Sequence, residues 1–361
     1  MPDSDGLWCA MGAGIAGFVQ SLDRFMNLRQ LSALLKLSPT TVSRALNGFP
    51  EVSAETRERV REAAALHGYR ANTVARRLAT GRTDSIGIIY PFEPTDLGDP
   101  VFLDIIAGVT EGLGEAGMDL VIVSASRENE MDTYQRVVSG GRVDGLIVAR
   151  TLVTDPRLQF LQEKDFPFVA HGRSELARPY AWFDYDNEVG MRLAVERLLS
   201  LGHRRIASIS APLAMNFAAQ RRTGFLAGLA ECEVECPAEY LVEGGLTPQH
   251  GVEAMQSLLA LPEPPTAVVV DNNVAAVGVM QCLRHAGLRA GHDLSIIVFG
   301  GLPSFHGEET DISAVVQPQP RHAGHMLARL MLARLAGKAP EELTCLWEPL
   351  LADGSSTARL A

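Results

Sequence analysis

The stretch Leu37-Ser-Pro-Thr-Thr-Val-Ser-Arg-Ala-Leu-Asn-Gly48 decides the fold of the N-terminal part of the chain. Ser38 is a favourable N-cap, and Pro39 suits the first position of a helix. In the helix that they begin, Val42, Ala45 and Leu46 recur at i, i+3 and i+4 and are predicted to face a core. The opposite face then carries short polar side chains and one cation, namely Thr40, Thr41, Ser43, Arg44 and Asn47.

Helices are predicted on both sides of this segment. Before it, leucines recur at helical spacing from Leu28 to Leu35. After it, Ser53 caps a third helix that runs through His67, and Gly68 ends it. Three short helices with a polar face on the second predict a DNA-binding helix-turn-helix. The alternative is a small three-helix bundle with a solvated, charged surface.

The charge is divided unevenly along the 361 residues. The whole chain has a net charge of −11, with 47% hydrophobic and 21% charged residues, as in globular proteins. Residues 26–82 contain ten Lys and Arg against four Glu, a net charge of +6, whereas residues 83–361 carry −15. A basic module attached to an acidic body indicates a nucleic-acid reader joined to a second function.

The sequence from Asn72 to Gly81 predicts about two turns of helix, with Asn72 as the N-cap and Gly81 as the residue that ends it. It is too short to be stable alone in water. Because it carries Arg76 and Arg77 and exposes Leu78, it could fold on DNA and insert the leucine between base steps of the minor groove. A simple linker is the alternative.

The acidic body alternates short apolar runs with amphipathic helices. We expect two α/β doubly wound lobes. The predicted buried parallel strands are Ser85–Tyr90, Asp119–Ser124, Gly145–Ala149, Arg205–Ser210, Ala267–Asp271 and Ser295–Phe299. The predicted helices are Asp104–Ala116, Glu130–Ser139, Asn187–Leu201, Gln220–Glu231, Gln249–Leu261 and Val274–Ala286.

Ligands of such sheets bind beyond the carboxyl ends of the strands, so the residues that end or follow each strand are the candidate ligand contacts. Amides and charged groups pair with sugar hydroxyls, while aromatic faces stack on the sugar ring. The candidates are Tyr90 and Pro91, His171 and Arg173, Asp184 and Asp186, and Asn272 and Asn273. Together they predict a cleft for a polyhydroxylated ligand.

The quoted stretch, with Val52–Val60, Gly68–Asn72 and Ala75–Leu78, closely resembles the headpiece and hinge of the lactose-repressor (LacI/GalR) family. The resemblance implies that Thr40 and Arg44 read base edges, that Thr41, Ser43 and Asn47 hold phosphates, and that Leu78 is the minor-groove wedge. It also places Pro39, Asn72, Ala75 and Arg76 at DNA-contact positions. Pro39 stands where relatives often have a longer, base-reading side chain, and Ala71 where a proline is common.

The acidic body is similar to the effector domain of the same family, which has the fold of periplasmic sugar-binding proteins. Arg221, in the pattern R-x-x-G-F, is implied to be a principal effector ligand. Asn273 stands where relatives usually have an aspartate, and Gly300-Gly301 replaces a common aspartate pair. The runs 168–173 and 182–186 look like those of regulators of glucoside utilisation, which points to an α-glucoside or another small saccharide.

The expected organisation has five parts. Residues 1–25 are a tail or a mis-assigned start, residues 26–71 the all-α helix-turn-helix headpiece, and residues 72–83 the hinge helix and linker. Residues 84–185 with 317–345 form the N-lobe, and residues 186–316 with 346–361 the C-lobe, of a periplasmic-binding-protein-like effector domain.

The function expected is that of a cytoplasmic, sequence-specific transcriptional regulator that represses carbohydrate-utilisation genes. Its partners would be palindromic operator DNA, a saccharide between the lobes and a second copy, since no heptad tail for a tetramer follows Leu351. We expect no cofactor, no metal and no membrane. A corepressing purine or other metabolite is an alternative effector.

Other classes of protein fit the sequence less well. A carbohydrate-acting enzyme using His171 with Asp184 or Asp186 is the main alternative. The sequence contains no G-x-S-x-G, no G-x-x-x-x-G-K-S/T, no H-E-x-x-H and no clustered Cys and His ligands to support it. Gly12–Gly17 spells G-x-G-x-x-G without the second strand and acid of a dinucleotide site. Five cysteines without a C-x-x-C pair predict neither a disulfide framework nor a zinc finger. A stand-alone periplasmic binding protein would lack the headpiece and carry an export signal.

Overall fold

The structure, a computed structural model, describes residues 26–46, 48–69, 81–90, 100–302 and 311–360. The chain divides into two compact units, one ending at Arg82 and the other beginning at Thr83. Each unit has its own hydrophobic core.

The first unit contains three helices, α1 (Leu28–Leu35), α2 (Pro39–Leu46) and α3 (Ala54–Leu66). The Oγ of Ser38 accepts the Thr41 N–H at 3.0 Å, and that of Ser53 accepts the Thr56 N–H at 3.2 Å, so both caps lie where the sequence predicts them. The core side chains are Leu31, Val42, Ala45, Val52, Val60 and Ala64. The three-helix arrangement confirms the predicted helix-turn-helix.

The second unit contains two six-stranded sheets, and each sheet with its helices is called a lobe. The strands of the first lobe are β1 (Ser85–Tyr90), β2 (Asp119–Ser124), β3 (Gly145–Ala149), β4 (Phe168–His171), β5 (Ala181–Tyr185) and β11 (Thr344–Trp347). Those of the second lobe are β6 (Ile206–Ser210), β7 (Leu241–Glu243), β8 (Ala267–Val270), β9 (Ser295–Phe299), β10 (Ser313–Val316) and β12 (Leu350–Ala352).

Helices pack on the faces of each sheet. They are α4 (Pro100–Glu115), α5 (Glu130–Ser139), α6 (Pro156–Glu163), α7 (Asn187–Ser200), α8 (Asn216–Ala230), α9 (Pro248–Leu259), α10 (Asn273–His285) and α11 (Pro320–Leu335). Short 3-10 turns lie at Arg127–Asn129, Ala238–Tyr240 and Pro340–Glu342. None of the described helices combines the length and apolar composition that a membrane span requires.

The two sheets share one topology, with strand orders β2-β1-β3-β4-β5-β11 and β7-β6-β8-β9-β10-β12. All neighbours are parallel except β10 and β12. The chain crosses between lobes after β5, after β10 and after β11. The last crossing lies beyond the expected boundary at 345, because Leu346 and Trp347 continue the pairing of β11 with β5.

Strand β2 differs from the expectation of a buried strand. It lies at the edge of its sheet, and Val121 and Ile122 are 36% and 43% exposed. The apolar composition of Asp119–Ser124 predicted its conformation correctly but not its position, since hydrophobicity does not distinguish an edge strand from a central one.

Candidate functional site

The outward face of α2 is polar and accessible. Pro39, Thr40 and Arg44 are exposed, whereas Thr41 and Ser43 are half-buried. The Thr41 hydroxyl lies 2.8 Å from the Ser38 hydroxyl at the start of the helix. Exposed hydroxyl and guanidinium groups on one helix face can hydrogen-bond base edges and phosphates. The other predicted DNA contacts, Asn47, Asn72, Ala75, Arg76 and Leu78, lie outside the described residues.

A cavity of about 200 Å³ lies between the two lobes of the second unit, at the carboxyl ends of their strands. Parallel sheets bind ligands at this edge because side chains from several strand ends converge there. Its lining includes Tyr90, Phe102, Arg150, Thr151, His171, Asp184, Asn187, Phe217, Arg221, Leu246, Asn272, Asn273, Phe299, Gly300 and Gln317.

Aromatic rings form opposite walls of the cavity. On the first lobe, the rings of Tyr90 and Phe102 pack with centroids 4.7 Å apart, and the Arg150 guanidinium lies 4.8 Å from the Tyr90 centroid. On the second lobe, Phe217 and Phe299 flank the cavity. Apolar ring faces with polar groups between them suit a sugar ring and its hydroxyls.

Arg221, on α8, is the principal buried cation of the cavity and is only 7% exposed. Its Nε donates to Asn187 Oδ1 at 2.9 Å, and its Nη1 donates to the Asp271 carbonyl. The guanidinium lies 3.5 Å from the Phe299 ring centroid. Burial lowers the pKa of Arg221 to about 10, although the Asp271 and Asp184 carboxylates oppose this shift. The guanidinium is therefore charged at neutral pH and fixed in orientation.

Asp184 and His171 provide polar groups on the first lobe. Arg173 Nε donates to Asp184 Oδ2 at 2.9 Å, so this carboxylate is partly balanced inside the protein. Burial raises the pKa of Asp184, against the opposing effect of Arg173. Burial lowers the pKa of His171 to about 4, so its imidazole is neutral at physiological pH. A neutral imidazole can both donate and accept hydrogen bonds.

The N-terminus of α10 closes the cavity on the second lobe. Asn272 Oδ1 accepts the Ala275 N–H at 2.8 Å and caps the helix. This cap holds Asn273, the first residue of the helix, at the cavity wall.

A short backbone bridge joins the two lobes beside the cavity. The Asn216 N–H donates to the Thr151 carbonyl at 2.9 Å, and the Val153 N–H donates to the Ala214 carbonyl at 3.0 Å. On the first lobe, the buried Arg157 holds this loop by donating to the Arg150 carbonyl at 2.9 Å. The bridge therefore keeps the cavity walls of the two lobes together.

The structure brings six of the predicted ligand contacts to this cavity, namely Tyr90, His171, Asp184, Arg221, Asn272 and Asn273. Two others do not line it: Arg173 lies behind Asp184 as its ion-pair partner, and Asp186 accepts the Val189 N–H as the N-cap of α7. Asp184 and Asp186 are separated by one residue and accept hydrogen bonds from different donors. Pro91 lies outside the described residues.

Several lining residues were missed by the sequence reasoning. Arg150 and Thr151 follow β3 and could have been found by applying the strand-end rule to that strand as well. Phe102 and Phe217 lie in helices and give no such signal. Among the described residues, no group of three His, Cys, Asp or Glu side chains is placed to bind a metal ion.

Comparisons with known proteins agree with both units. Residues 33–72 match the model of bacterial regulatory proteins of the lacI family. Residues 83–344 match that of periplasmic binding proteins and the sugar-binding domain of the LacI family. The second match covers well over half of the chain.

Individual relatives extend along almost the whole chain. The HTH-type transcriptional regulator RafR of Escherichia coli is 37% identical over 332 residues, which cover 92% of this chain and 98% of RafR. A structure described as the transcriptional regulator CelR-cellobiose complex has a TM-score of 0.70 and 29% identity, with 92% and 99% coverage. The lac repressor dimer bound to operator and an anti-inducer has a TM-score of 0.74 and 25% identity, with 92% and 99% coverage.

The helix-turn-helix unit, the paired doubly wound lobes and these matches agree in order and extent. The chain is a DNA-binding transcriptional regulator and not an enzyme. It belongs to the LacI family.

Proposed function

We propose that this regulator is a cytoplasmic homodimer that represses carbohydrate-utilisation genes and whose operator affinity is controlled by a small saccharide, an α-glucoside, bound between the lobes. The observation that carries this proposal is the cavity at the strand ends of both sheets. It combines aromatic walls with an oriented guanidinium, a carboxylate, an amide and a neutral imidazole. Such a set hydrogen-bonds vicinal hydroxyls and stacks on a sugar ring.

The ligand contacts that we propose are Tyr90, His171, Asp184, Arg221 and Asn273, to which the cavity adds Arg150. The CelR structure, which holds cellobiose, supports a disaccharide as the size class of the effector. The resemblance of residues 168–173 and 182–186 to regulators of glucoside utilisation supports the α-glucoside.

In the dimer, the first unit of each subunit would contact one half of a palindromic operator. Thr40 and Arg44 are proposed to read bases, because they are exposed on the polar face of α2. Phosphate contacts by neighbouring polar side chains and by the net positive segment would supply affinity that falls with salt. The Leu78 wedge remains a prediction from the sequence.

The edge strand β2 supports the proposal that the protein is a dimer. Its exposed Val121 and Ile122 form part of an apolar edge that a monomer would leave in water. The lac repressor relative is a dimer on its operator. We therefore place the partner subunit beside the first lobe.

Control of DNA binding would pass through the hinge segment 72–83. A saccharide that contacts both cavity walls favours one arrangement of the lobes over the other. The hinge sequence is marginal as a helix, so a modest change in lobe spacing would alter its fit on DNA. Couplings of this kind are typically ~1–3 kcal/mol.

The test is operator binding by the purified full chain at fixed salt. Fluorescence anisotropy would measure binding to DNA from upstream of its own gene, with and without maltose, methyl α-D-glucopyranoside, cellobiose, hypoxanthine and guanine. Operator release by an α-glucoside is the expected result. Binding that requires a purine would replace the saccharide with a corepressor, and no DNA binding under any condition would reject the proposal.

A further inference from the structure

A buried carboxylate lies directly behind the cavity wall of the second lobe. Asp271 follows β8, is 0% exposed and does not line the cavity. Its Oδ1 accepts the Ala211 N–H at 2.9 Å and the Asn272 Nδ2–H at 2.9 Å. Its Oδ2 has no hydrogen-bond partner among the described residues. Burying a carboxylate costs free energy that neighbouring groups must offset, so its surroundings are informative.

The carboxylate of Asp271 fixes the turn that leads into α10. Asn272 donates one amide N–H to Asp271 and accepts the Ala275 N–H with its oxygen, so both ends of this amide serve the turn. Asn273 is the next residue and lines the cavity. The orientation of Asn273 therefore depends on the hydrogen bond that the Asn272 amide donates to the Asp271 carboxylate.

The same residue stabilises Arg221 in its buried position. The Asp271 carbonyl accepts the Arg221 Nη1–H, and the Asp271 carboxyl group opposes the effect of burial on the pKa of Arg221 more than Asp184 does. Burial raises the pKa of Asp271 in turn, and the Arg221 guanidinium opposes that shift. Asp184 is itself paired with Arg173. Arg222, on the neighbouring position of α8, also interacts electrostatically with Asp271, and its Nη2 donates to the Ser210 hydroxyl at 2.9 Å.

We propose that Asp271 is a positioning residue of the effector site, which orients Arg221 through its charge and Asn273 through the Asn272 amide. This inference rests on the proposed function only for the identity of the ligand. The positions of Arg221 and Asn272 are properties of the protein without ligand and can be measured without one.

Two variants separate the contributions of charge and hydrogen bonding. Asp271→Asn keeps an oxygen that can accept from Ala211 and Asn272 but removes the charge. Asp271→Ala removes both. Ser208→Ala is the matched control: Ser208 is 1% exposed in the adjacent strand, on the sheet face opposite Ala207 and Ile209, and its hydroxyl has no partner among the described residues.

The first measurement needs no ligand. In the full chain with labelled arginine, NMR would follow solvent exchange of the Arg221 Nε–H, which is bonded to Asn187, with Arg221→Lys used only to assign the signal. Slow exchange is expected in the wild type and Ser208→Ala, and exchange at least about tenfold faster in Asp271→Ala. Equal exchange in Asp271→Ala and the wild type, with thermal melts showing that both are folded, would overturn the proposal.

The second measurement is maltose binding by calorimetry between pH 7 and pH 10. Because Asp271 raises the pKa of Arg221 against the effect of burial, Asp271→Asn should lose affinity at a lower pH than the wild type. Superimposable pH profiles would contradict the charge role. If the wild type does not bind maltose, the α-glucoside proposal fails, while the NMR result still decides the role of Asp271.

Discussion

Replacing Arg221 with Lys tests the effector site most specifically, because it keeps the positive charge and removes the planar fork. Arginine donates to Asn187 Oδ1 at 2.9 Å and to the Asp271 carbonyl while it faces the cavity. An ammonium group cannot make these two bonds and also present parallel donors to a ligand. The substitution therefore removes hydrogen bonds without removing the charge.

The expected losses follow from these contacts. One hydrogen bond from a charged donor to the ligand contributes about 1.5–3 kcal/mol, so saccharide affinity should fall roughly 10- to 150-fold. Asn187 Oδ1, on a side chain that is 1% exposed, would also lose its buried donor. The free energy of unfolding should decrease by about 1–3 kcal/mol for that reason. Operator affinity without ligand should not change, since the helix-turn-helix is untouched.

Calorimetry with the saccharide that releases the operator would measure the first loss, and denaturant unfolding the second. Arg192→Lys is the matched control, because Arg192 belongs to the same lobe, is 38% exposed in its side chain and forms a surface ion pair with Glu231 at 3.3 Å. The control should change affinity less than about twofold. A folded Arg221→Lys protein with wild-type saccharide affinity would refute this account of the site.

Four further predictions concern the lobe bridge, the DNA contacts and pH. Asn216→Pro removes the N–H that donates to the Thr151 carbonyl. Proline fits here because Asn216 is the first residue of its helix and the preceding Met215 is extended (φ −77°, ψ 128°). Calorimetry should therefore show saccharide affinity reduced about 2- to 10-fold. Arg44→Met should weaken operator binding by at least about tenfold in anisotropy and non-specific DNA binding much less, whereas equal losses would contradict base reading. Leu78→Ala should likewise weaken operator binding and leave non-specific binding nearly intact, and equal losses would exclude the wedge. Burial lowers the pKa of His171 from 6.5 to about 4, so between these values the unfolded state binds more protons than the folded state. The free energy of unfolding, measured in urea, should therefore rise as the pH increases from about 4 to 6.5. This contribution should be absent in His171→Phe.

The sequence predicts an element well where local signals agree. The bounds of α5, β1, β2, β3 and β9 match the prediction, because an apolar run or an amphipathic period begins and ends at those residues. Helix α8 begins four residues before its predicted start at Gln220. Its first N–H, that of Asn216, is satisfied by the Thr151 carbonyl of the other lobe, and sequence periodicity does not report such a tertiary bond.

The proposed effector site was predictable only in part for a similar reason. Strand-end residues such as Tyr90, His171 and Asp184 follow from the topology of parallel sheets. Asp186 has the same sequence signal but caps α7 instead, because the chain turns into the helix at that residue. Asp271 directly follows a strand, yet its carboxylate turns inward to Ala211 and Asn272, which only the packed structure reveals.

The central claim is that saccharide and operator DNA bind one protein at linked sites. The most direct test measures saccharide affinity of the full chain with and without saturating operator, together with operator affinity with and without saturating saccharide. Linkage requires both affinities to change by the same factor, which we expect to lie between about 5- and 150-fold. Saccharide binding that is identical with and without operator would contradict the account.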